Sequence, residues 1–396
     1  MASRTSLFNI PFNPDVLKWA RMLGDYSFED AAEAIKATAI QIEEWENRDS
    51  APTVIQARKL ANFYNRPFLE FFAKEIPDVQ STKLVPDFRL LRTTHTPSDN
   101  KILREVQSWA ETQRLNAIDL YEINGEKIPI MPKPLYANVM DNPEIAANRS
   151  REIIDFKIQE QTSLKSTERG RLFNIIRQKL ENAGILVFKN SQLTKCKARG
   201  LCVFNEPLPI IVVGSESPTG SAFTAMHEFG HILLKQSAIS GINVPRTSTA
   251  TYFQIENWCN DFASAFLMPK DEVNNIVRFE AKVEEISDED LRVYSNIFSV
   301  SRHAMLVRLV QLQLVNKNYY WEIKRPQFLE EESQYKPGGR ATYYGARYRN
   351  SNGELYTGLV LDAWASNKIT NHNAGEFMGI KNLKHLFDIR NRFNSK

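Results

Sequence analysis

The sequence has no long apolar run. Nowhere in its 396 residues is there an uninterrupted stretch of about 18 apolar side chains, the length that a membrane-spanning helix requires. The N-terminus, Met1–Leu7, also lacks the apolar centre of a signal peptide. We therefore expect a protein that stays in the cytoplasm and does not associate with a membrane.

Cysteine and histidine are scarce. The chain has 3 cysteines and 6 histidines. Cys196, Cys202 and Cys259 give no disulfide framework, and none of them belongs to a C-x-x-C motif. Cysteine can bind metals, so Cys196 and Cys202 are possible ligands. Cysteines in or beside strands are more commonly buried thiols, and this is the favoured interpretation of both residues.

Neither sign of charge dominates. Lysine and arginine number 50 and the acidic residues 47, which leaves a formal net charge of +3. This excess is too small to indicate nucleic-acid binding without a local motif. The hydrophobic content of 42% and the charged content of 24% are ordinary for a globular protein. The length predicts about two to four domains.

One short stretch places two histidines four positions apart. It contains H-E-x-x-H, formed by His227, Glu228 and His231. On a helix the two histidines lie on one face, one turn apart, and can hold one zinc ion. Glu228 can then reach water at the metal and act as the general base. The alternative is a helix that carries two surface histidines.

A catalytic zinc needs a third protein ligand. Residues 252–269 predict a second helix, which Pro269 ends. Glu256 on this helix is the leading third ligand, and Asn260, one turn later, is placed to hydrogen-bond a ligand histidine. Asp261 is the second choice as ligand, about 140° round the helix from Glu256. The alternative role for Glu256 is that of an exposed carboxylate near the helix start.

Three short apolar segments precede the first motif. Residues 185–188, 198–204 and 209–213 predict strands. A small sheet packed on a helix with H-E-x-x-H is the usual layout of zinc-dependent peptidases. An edge strand of such a sheet can bind an extended peptide, but the sequence does not indicate which strand that is.

Together these motifs resemble the ImmA/IrrE family of zinc metallopeptidases. The similar segments are F-T-x-x-H-E-x-x-H at 223–231 and I-E-x-x-C-N-x-F-A at 255–263. The resemblance implies that His227, His231 and Glu256 bind Zn²⁺ and that Glu228 is the catalytic base, as in gluzincin-like enzymes. It also implies cleavage of a partner protein, often the repressor of a mobile element or stress regulon. Some relatives instead serve as the antitoxin of a toxin–antitoxin or phage-defence pair.

Residues 1–76 predict a bundle of short helices joined by tight turns. Their order, from Val16-Leu17-Lys18-Trp19-Ala20-Arg21 to Lys59-Leu60-Ala61-Asn62-Phe63-Tyr64, resembles the Cro/repressor-like (XRE) helix-turn-helix family. Within it Thr38 and Gln41 are candidates for contacts with base edges, and Arg48 for a phosphate contact. The presumed recognition helix, residues 39–47, has three glutamates and no lysine or arginine. Docking of a protein partner is therefore the alternative.

The predicted fold is α+β and mostly α-helical. We divide it into a helix-turn-helix bundle (1–76), a linker (77–97), a zincin-like peptidase domain whose small sheet packs on the H-E-x-x-H helix (98–330), and a C-terminal region (331–396). The last region is predicted to form a short hairpin, turning at Asn352-Gly353, and further helices. Its basic tail, residues 381–396, is suited to nucleic acid, to an acidic protein or to solvent alone.

The function that these predictions favour is a zinc endopeptidase and transcriptional regulator that cleaves or inactivates a partner such as a repressor. The alternative is a DNA-binding antitoxin or regulator, paired with a toxin, whose metal site is sensory or structural. DNA is a further expected partner through the N-terminal domain. Repressor-like domains often dimerise, so a homodimer is also an expectation, although no interface can be read from the sequence.

Overall fold

The structure is a computed structural model that describes residues 12–23, 26–64, 66, 68–76, 97–241, 250–277, 282–334, 344–380, 382 and 384–393. The chain divides into two compact units, Met1–Leu84 and Val85–Lys396. The predicted linker, residues 77–97, lies outside the described residues except for Pro97, where a long helix begins. Among the described residues, no helix is both long and apolar enough to cross a membrane.

The first unit consists of short helices around an apolar core. They are α1 (Pro14–Leu23), α2 (Phe28–Ile35), α3 (Ala39–Glu46) and α4 (Val54–Tyr64), followed by a 3-10 turn at Phe68–Phe72. Ser27 begins α2 with a reciprocal capping box to Asp30, and Lys36 ends it in the left-handed conformation. Because this end leaves only residues 36–38 between α2 and α3, the two helices meet at a tight turn. That the unit has the repressor-like fold remains a prediction.

The second unit is mostly helical, with one small sheet. Its helices and strands, in chain order, are α5 (Pro97–Asn124), α6 (Pro143–Ile153), α7 (Ile158–Thr162), α8 (Arg171–Asn182), β1 (Leu186–Lys189), α9 (Gln192–Lys195), β2 (Ala198–Val203), β3 (Ile210–Val213), α10 (Pro218–Leu233), β4 (Ala238–Gly241), α11 (Ala250–Leu267), α12 (Lys270–Ile276), α13 (Asp288–Ile297), α14 (Arg302–Gln311), α15 (Arg325–Gln334), α16 (Tyr344–Asn352), α17 (Glu354–Ala365), α18 (Asn371–Phe377) and α19 (Lys384–Phe393). A π-helix, Tyr319–Lys324, precedes α15. The α+β class predicted from the sequence is confirmed.

Among the described residues, the sheet has four strands in the order β1-β3-β2-β4, with β1 parallel to β3 and the other pairs antiparallel. Three of them confirm the predicted strands. The fourth, β4, was missed because Ala238-Ile239-Ser240-Gly241 has little of the β-branched character that marks a strand. Alternate side chains of each strand enter two apolar clusters. One cluster joins the sheet to α8, α10 and α11, and the other joins it to α5 and α17–α19.

The C-terminal hairpin predicted at Asn352-Gly353 is wrong, because helices α16 and α17 meet there. Tyr356, Leu359, Val360 and Ala363 are all buried, and this helical spacing outweighs the turn signal. Gly353, at φ +82°, turns the chain between the two helices.

A buried ion pair on α8 stabilises this helix corner. Arg177 donates to the carbonyls of Asn350 and Ser351 at the end of α16, whereas Glu181 accepts from the backbone N–H of Leu355 at the start of α17. The Arg177 cation therefore lies at the C-terminal end of α16 and the Glu181 carboxylate at the N-terminal end of α17. These are the helix ends that a positive and a negative charge, respectively, stabilise.

Candidate metal centre

Helices α10 and α11 bring the predicted ligands together. Ser217 caps α10 and Pro218 occupies its first turn, as expected for a helix start. Gly230, inside the H-E-x-x-H motif, lets the two helices approach closely. A Cβ at this position would lie 3.2 Å from both the Cα and the Sγ of Cys259. The motif thus faces α11 across a short gap.

Donor atoms of three side chains converge between these helices. The Nε2 atoms of His227 and His231 lie 3.2 Å apart. Glu256 places Oε2 3.4 Å from the first nitrogen and Oε1 3.2 Å from the second. All three residues are buried, and their ligand atoms lie within 4.8 Å of one another.

This donor set fits a zinc ion. Ligands about 2.1 Å from a tetrahedral zinc stand about 3.4 Å from one another. The two imidazole nitrogens here are 3.2 Å apart, and each lies near a different oxygen of Glu256, at 3.4 Å for His227 and 3.2 Å for His231. Two imidazoles and one carboxylate are ordinary zinc ligands and leave a fourth position for water or substrate. His227, His231 and Glu256 are therefore the residues that would hold the metal.

Asn260 supports the first ligand. Its Oδ1 lies 3.0 Å from Nδ1 of His227. If Nδ1–H donates to this oxygen, Nε2 is left with its lone pair directed at the metal position. Asp261, the second choice as third ligand, instead accepts a hydrogen bond of 2.7 Å from Gln311 and is not part of the ligand group.

The local electrostatics favour an ionised Glu256. Burial by itself opposes ionisation, but the hydrogen bonds and charges of the two imidazoles outweigh it and hold the pKa of Glu256 well below its usual range. For His227, burial lowers the pKa and Glu256 raises it, and the net direction is upward. The carboxylate is thus in its ligand form, whereas a proton on His227 competes with a metal.

Glu228 points at the sheet. Its side chain is fully buried, and a Cβ at Gly200 of β2 would lie 2.4 Å from its Oε1. The Cys202 thiol lies two residues further along β2, and burial together with the neighbouring Glu228 carboxylate raises the pKa of this thiol well above its usual range. The sequence offered one signal for this arrangement, since a glycine inside a strand often marks a close approach by another group.

Residues 180–310 match the family model of the IrrE N-terminal-like domain, Peptidase_M78. This segment, the IrrE-like domain below, contains the sheet, α10, α11 and all four residues of the metal centre. The family is of the metallopeptidase type, in agreement with part of the resemblance predicted from the sequence. No curated protein matches the chain.

The DNA-contact candidates belong to the first unit and not to the IrrE-like domain. Thr38 is the N-cap of α3, and it and Gln41 form a reciprocal capping box through their side chains and backbone N–H groups. Arg48 donates to Asp15 at 2.7 Å. Their predicted contacts with DNA remain predictions.

Proposed function

We propose that the protein is a zinc-dependent endopeptidase that cleaves a partner protein such as a repressor. The observation that carries the proposal is the convergence of His227, His231 and Glu256 within one H-E-x-x-H-containing, IrrE-like domain. Exposed acidic clusters are common without metals, but these three side chains are buried together. Two imidazoles and one carboxylate gathered in this way form a ligand set that zinc commonly uses.

The chain's own groups then have distinct tasks. A bound zinc ion would supply Lewis acidity toward a peptide carbonyl and toward water. Glu228 takes the proton of the attacking water and passes it to the leaving amine nitrogen. Asn260 keeps the His227 ring oriented.

The sheet suggests where a peptide would bind. Its two edge strands are β1 and β4. Helix α16 packs on β1, so we assign the peptide to β4, where an extended segment can add to the sheet through main-chain hydrogen bonds. β4 also follows α10 directly, and Gln236 between them donates to the carbonyl of His231. A peptide on β4 would thus pass close to the metal centre.

The proposal is tested with zinc and one conservative substitution. The purified chain should contain about one zinc per molecule. Glu228→Gln should keep this zinc and lose cleavage of a candidate partner, for which any repressor encoded beside this chain's gene is the first choice. His227→Ala should lose both zinc and cleavage. Cleavage by the zinc-loaded Glu228→Gln protein would rule out the assigned base.

The burial of all four side chains supports a second candidate function. Glu228 and His231 are fully buried, and His227 and Glu256 are exposed by 6% and 4%. A metal enclosed in this way suits a structural or sensory role in an antitoxin or regulator. In that case neutralisation of a toxin encoded nearby should survive Glu228→Gln and should fail in His227→Ala.

A further inference from the structure

The two ends of the chain carry opposite local charge. Residues 26–50, which include α2 and α3, have seven carboxylates against two cations, a poor match to DNA phosphates. Residues 381–393 have four cations and one carboxylate. If this protein binds DNA, electrostatics favours its C-terminal end.

Three arginines of the first unit are also engaged within it. Among its described residues, they form ion pairs of 2.7 Å: Arg21 with Glu46, Arg48 with Asp15, and Arg66 with Glu70. A phosphate would have to displace these contacts. The outer side of α3 is instead apolar in part, since Ile40 is 67% exposed.

Helix α19 presents a basic and aromatic stripe to solvent. Lys384 and Phe387 are exposed one turn apart, and Phe387 is 41% exposed. The guanidinium of Arg390 continues the stripe, 5.3 Å from the ring centroid of Phe387 and 4.8 Å from that of Trp364. The carboxylate on this helix, Asp388, accepts from the backbone N–H of Gly345. Its charge is thus engaged by the start of α16.

The opposite side of α19 holds the helix in place. Leu386 and Ile389 are buried in the cluster that also contains the outer face of the sheet. His385 stacks on Tyr344 with their ring centroids 3.7 Å apart. The stripe is therefore presented by a helix that is already packed, so binding to it costs little ordering entropy.

We propose that duplex DNA binds to this stripe, formed by Lys384, Phe387 and Arg390. An exposed helix fits the major groove, where lysine reaches guanine acceptors and an apolar ring packs on a thymine methyl group. Lys384 and Arg390 also neutralise phosphates. This inference does not depend on the metal centre or on peptidase activity.

The test uses the full chain and a fluorescent mixed-sequence duplex of about 30 base pairs, titrated by anisotropy between about 50 and 200 mM salt. Lys384→Glu should weaken binding about tenfold or more at low salt, and Lys384→Ala should reduce the log–log salt slope by about 1. Both variants should keep the wild-type melting temperature because Lys384 is exposed.

The matched control is Lys59→Glu, which reverses an exposed charge on α4 of the first unit. It should leave the affinity within about twofold of the wild type, since Lys59 is not one of the residues that form the proposed interface. Three results overturn the proposal: no anisotropy change with wild-type protein at low salt, an unchanged affinity in Lys384→Glu, or an equal loss in Lys59→Glu. The last result would place the DNA on the first unit.

Discussion

Gly200 on β2 and Glu228 on α10 fit together only because one of them has no side chain. A Cβ at position 200 would lie 2.4 Å from Oε1 and 2.8 Å from Cγ of Glu228, both closer than atoms can pack. Glu228 is fully buried, so its carboxylate cannot turn into solvent to make room. The glycine thereby positions the group that we propose as the general base.

A double-mutant cycle measures this relationship without any substrate. Gly200→Ala should destabilise the metal-free chain by about 1–3 kcal/mol, because overpacking forces neighbours to shift. In a Glu228→Ala background the cost should fall by about 1 kcal/mol or more, since contacting residues do not act additively. Part of the cost of Gly200→Ala should persist in the Glu228→Ala background, because Thr224 Cγ2 would lie 2.7 Å from the new Cβ. Urea unfolding gives each free energy.

Glu228→Gln provides the control for this cycle. It removes the charge but keeps the volume, so Gly200→Ala should cost as much in this background as in the wild type. A cost that disappears equally in the Gln and Ala backgrounds would mean that charge, and not space, couples the two positions.

Zinc affinity should fall as the pH is lowered through the raised pKa of His227. Glu256 raises this pKa above its ordinary value against the effect of burial, and zinc binds only the neutral imidazole. Protonation of His227 therefore begins at a higher pH than protonation of a free histidine. Below the pKa of His227, the zinc affinity should drop about tenfold per pH unit for each proton that zinc displaces. Competition with a chromophoric chelator measures the zinc affinity at each pH.

The control for this pH dependence is His372→Ala. His372 is an exposed residue on α18 and should not affect the zinc profile. An affinity that stays constant between about pH 5.5 and 7.5, where a free histidine itself titrates, would contradict the assignment of His227 as a ligand.

The metal centre was more predictable from the sequence than the groups around it. The spacing of His227 and His231 within one helix follows from helix geometry alone, and Glu256 follows from the amphipathic pattern of the next helix. Gly200 inside a strand signals that some group approaches closely, but that this group is Glu228 depends on how the sheet packs on α10, which no local pattern encodes. At Asn352-Gly353 the local turn signal competed with the helical spacing of Tyr356, Leu359 and Val360, and the ion pair from distant α8 that stabilises the helix corner has no local signal.

Asn260 should contribute to zinc affinity through His227. Removing its oxygen in Asn260→Ala should weaken zinc binding about 10- to 100-fold, the usual effect of losing the hydrogen bond that orients a ligand histidine. Asn260→Asp keeps an acceptor for Nδ1–H and should bind zinc at least as tightly as Asn260→Ala. Asn257→Ala, an exposed change on the same helix, should have no effect. Equal dissociation constants for the Asn260→Ala and wild-type proteins would contradict the prediction.

Gly353 should be far less tolerant of substitution than another glycine with a similar backbone. Gly353 and Gly125 have φ values of +82° and +73°, so alanine is strained at both, at a cost of about 1 kcal/mol. At Gly125 nothing lies within 4 Å of the added Cβ, whereas at Gly353 it would lie 2.2 Å from Glu181 Oε1 and 2.6 Å from Arg177 Nη2. Gly353→Ala should therefore cost about 1–3 kcal/mol more than Gly125→Ala. Urea unfolding of the two variants gives the difference in free energy. Equal costs would contradict the prediction, because they would show that the Arg177–Glu181 ion pair can move away from the added Cβ without a loss of stability.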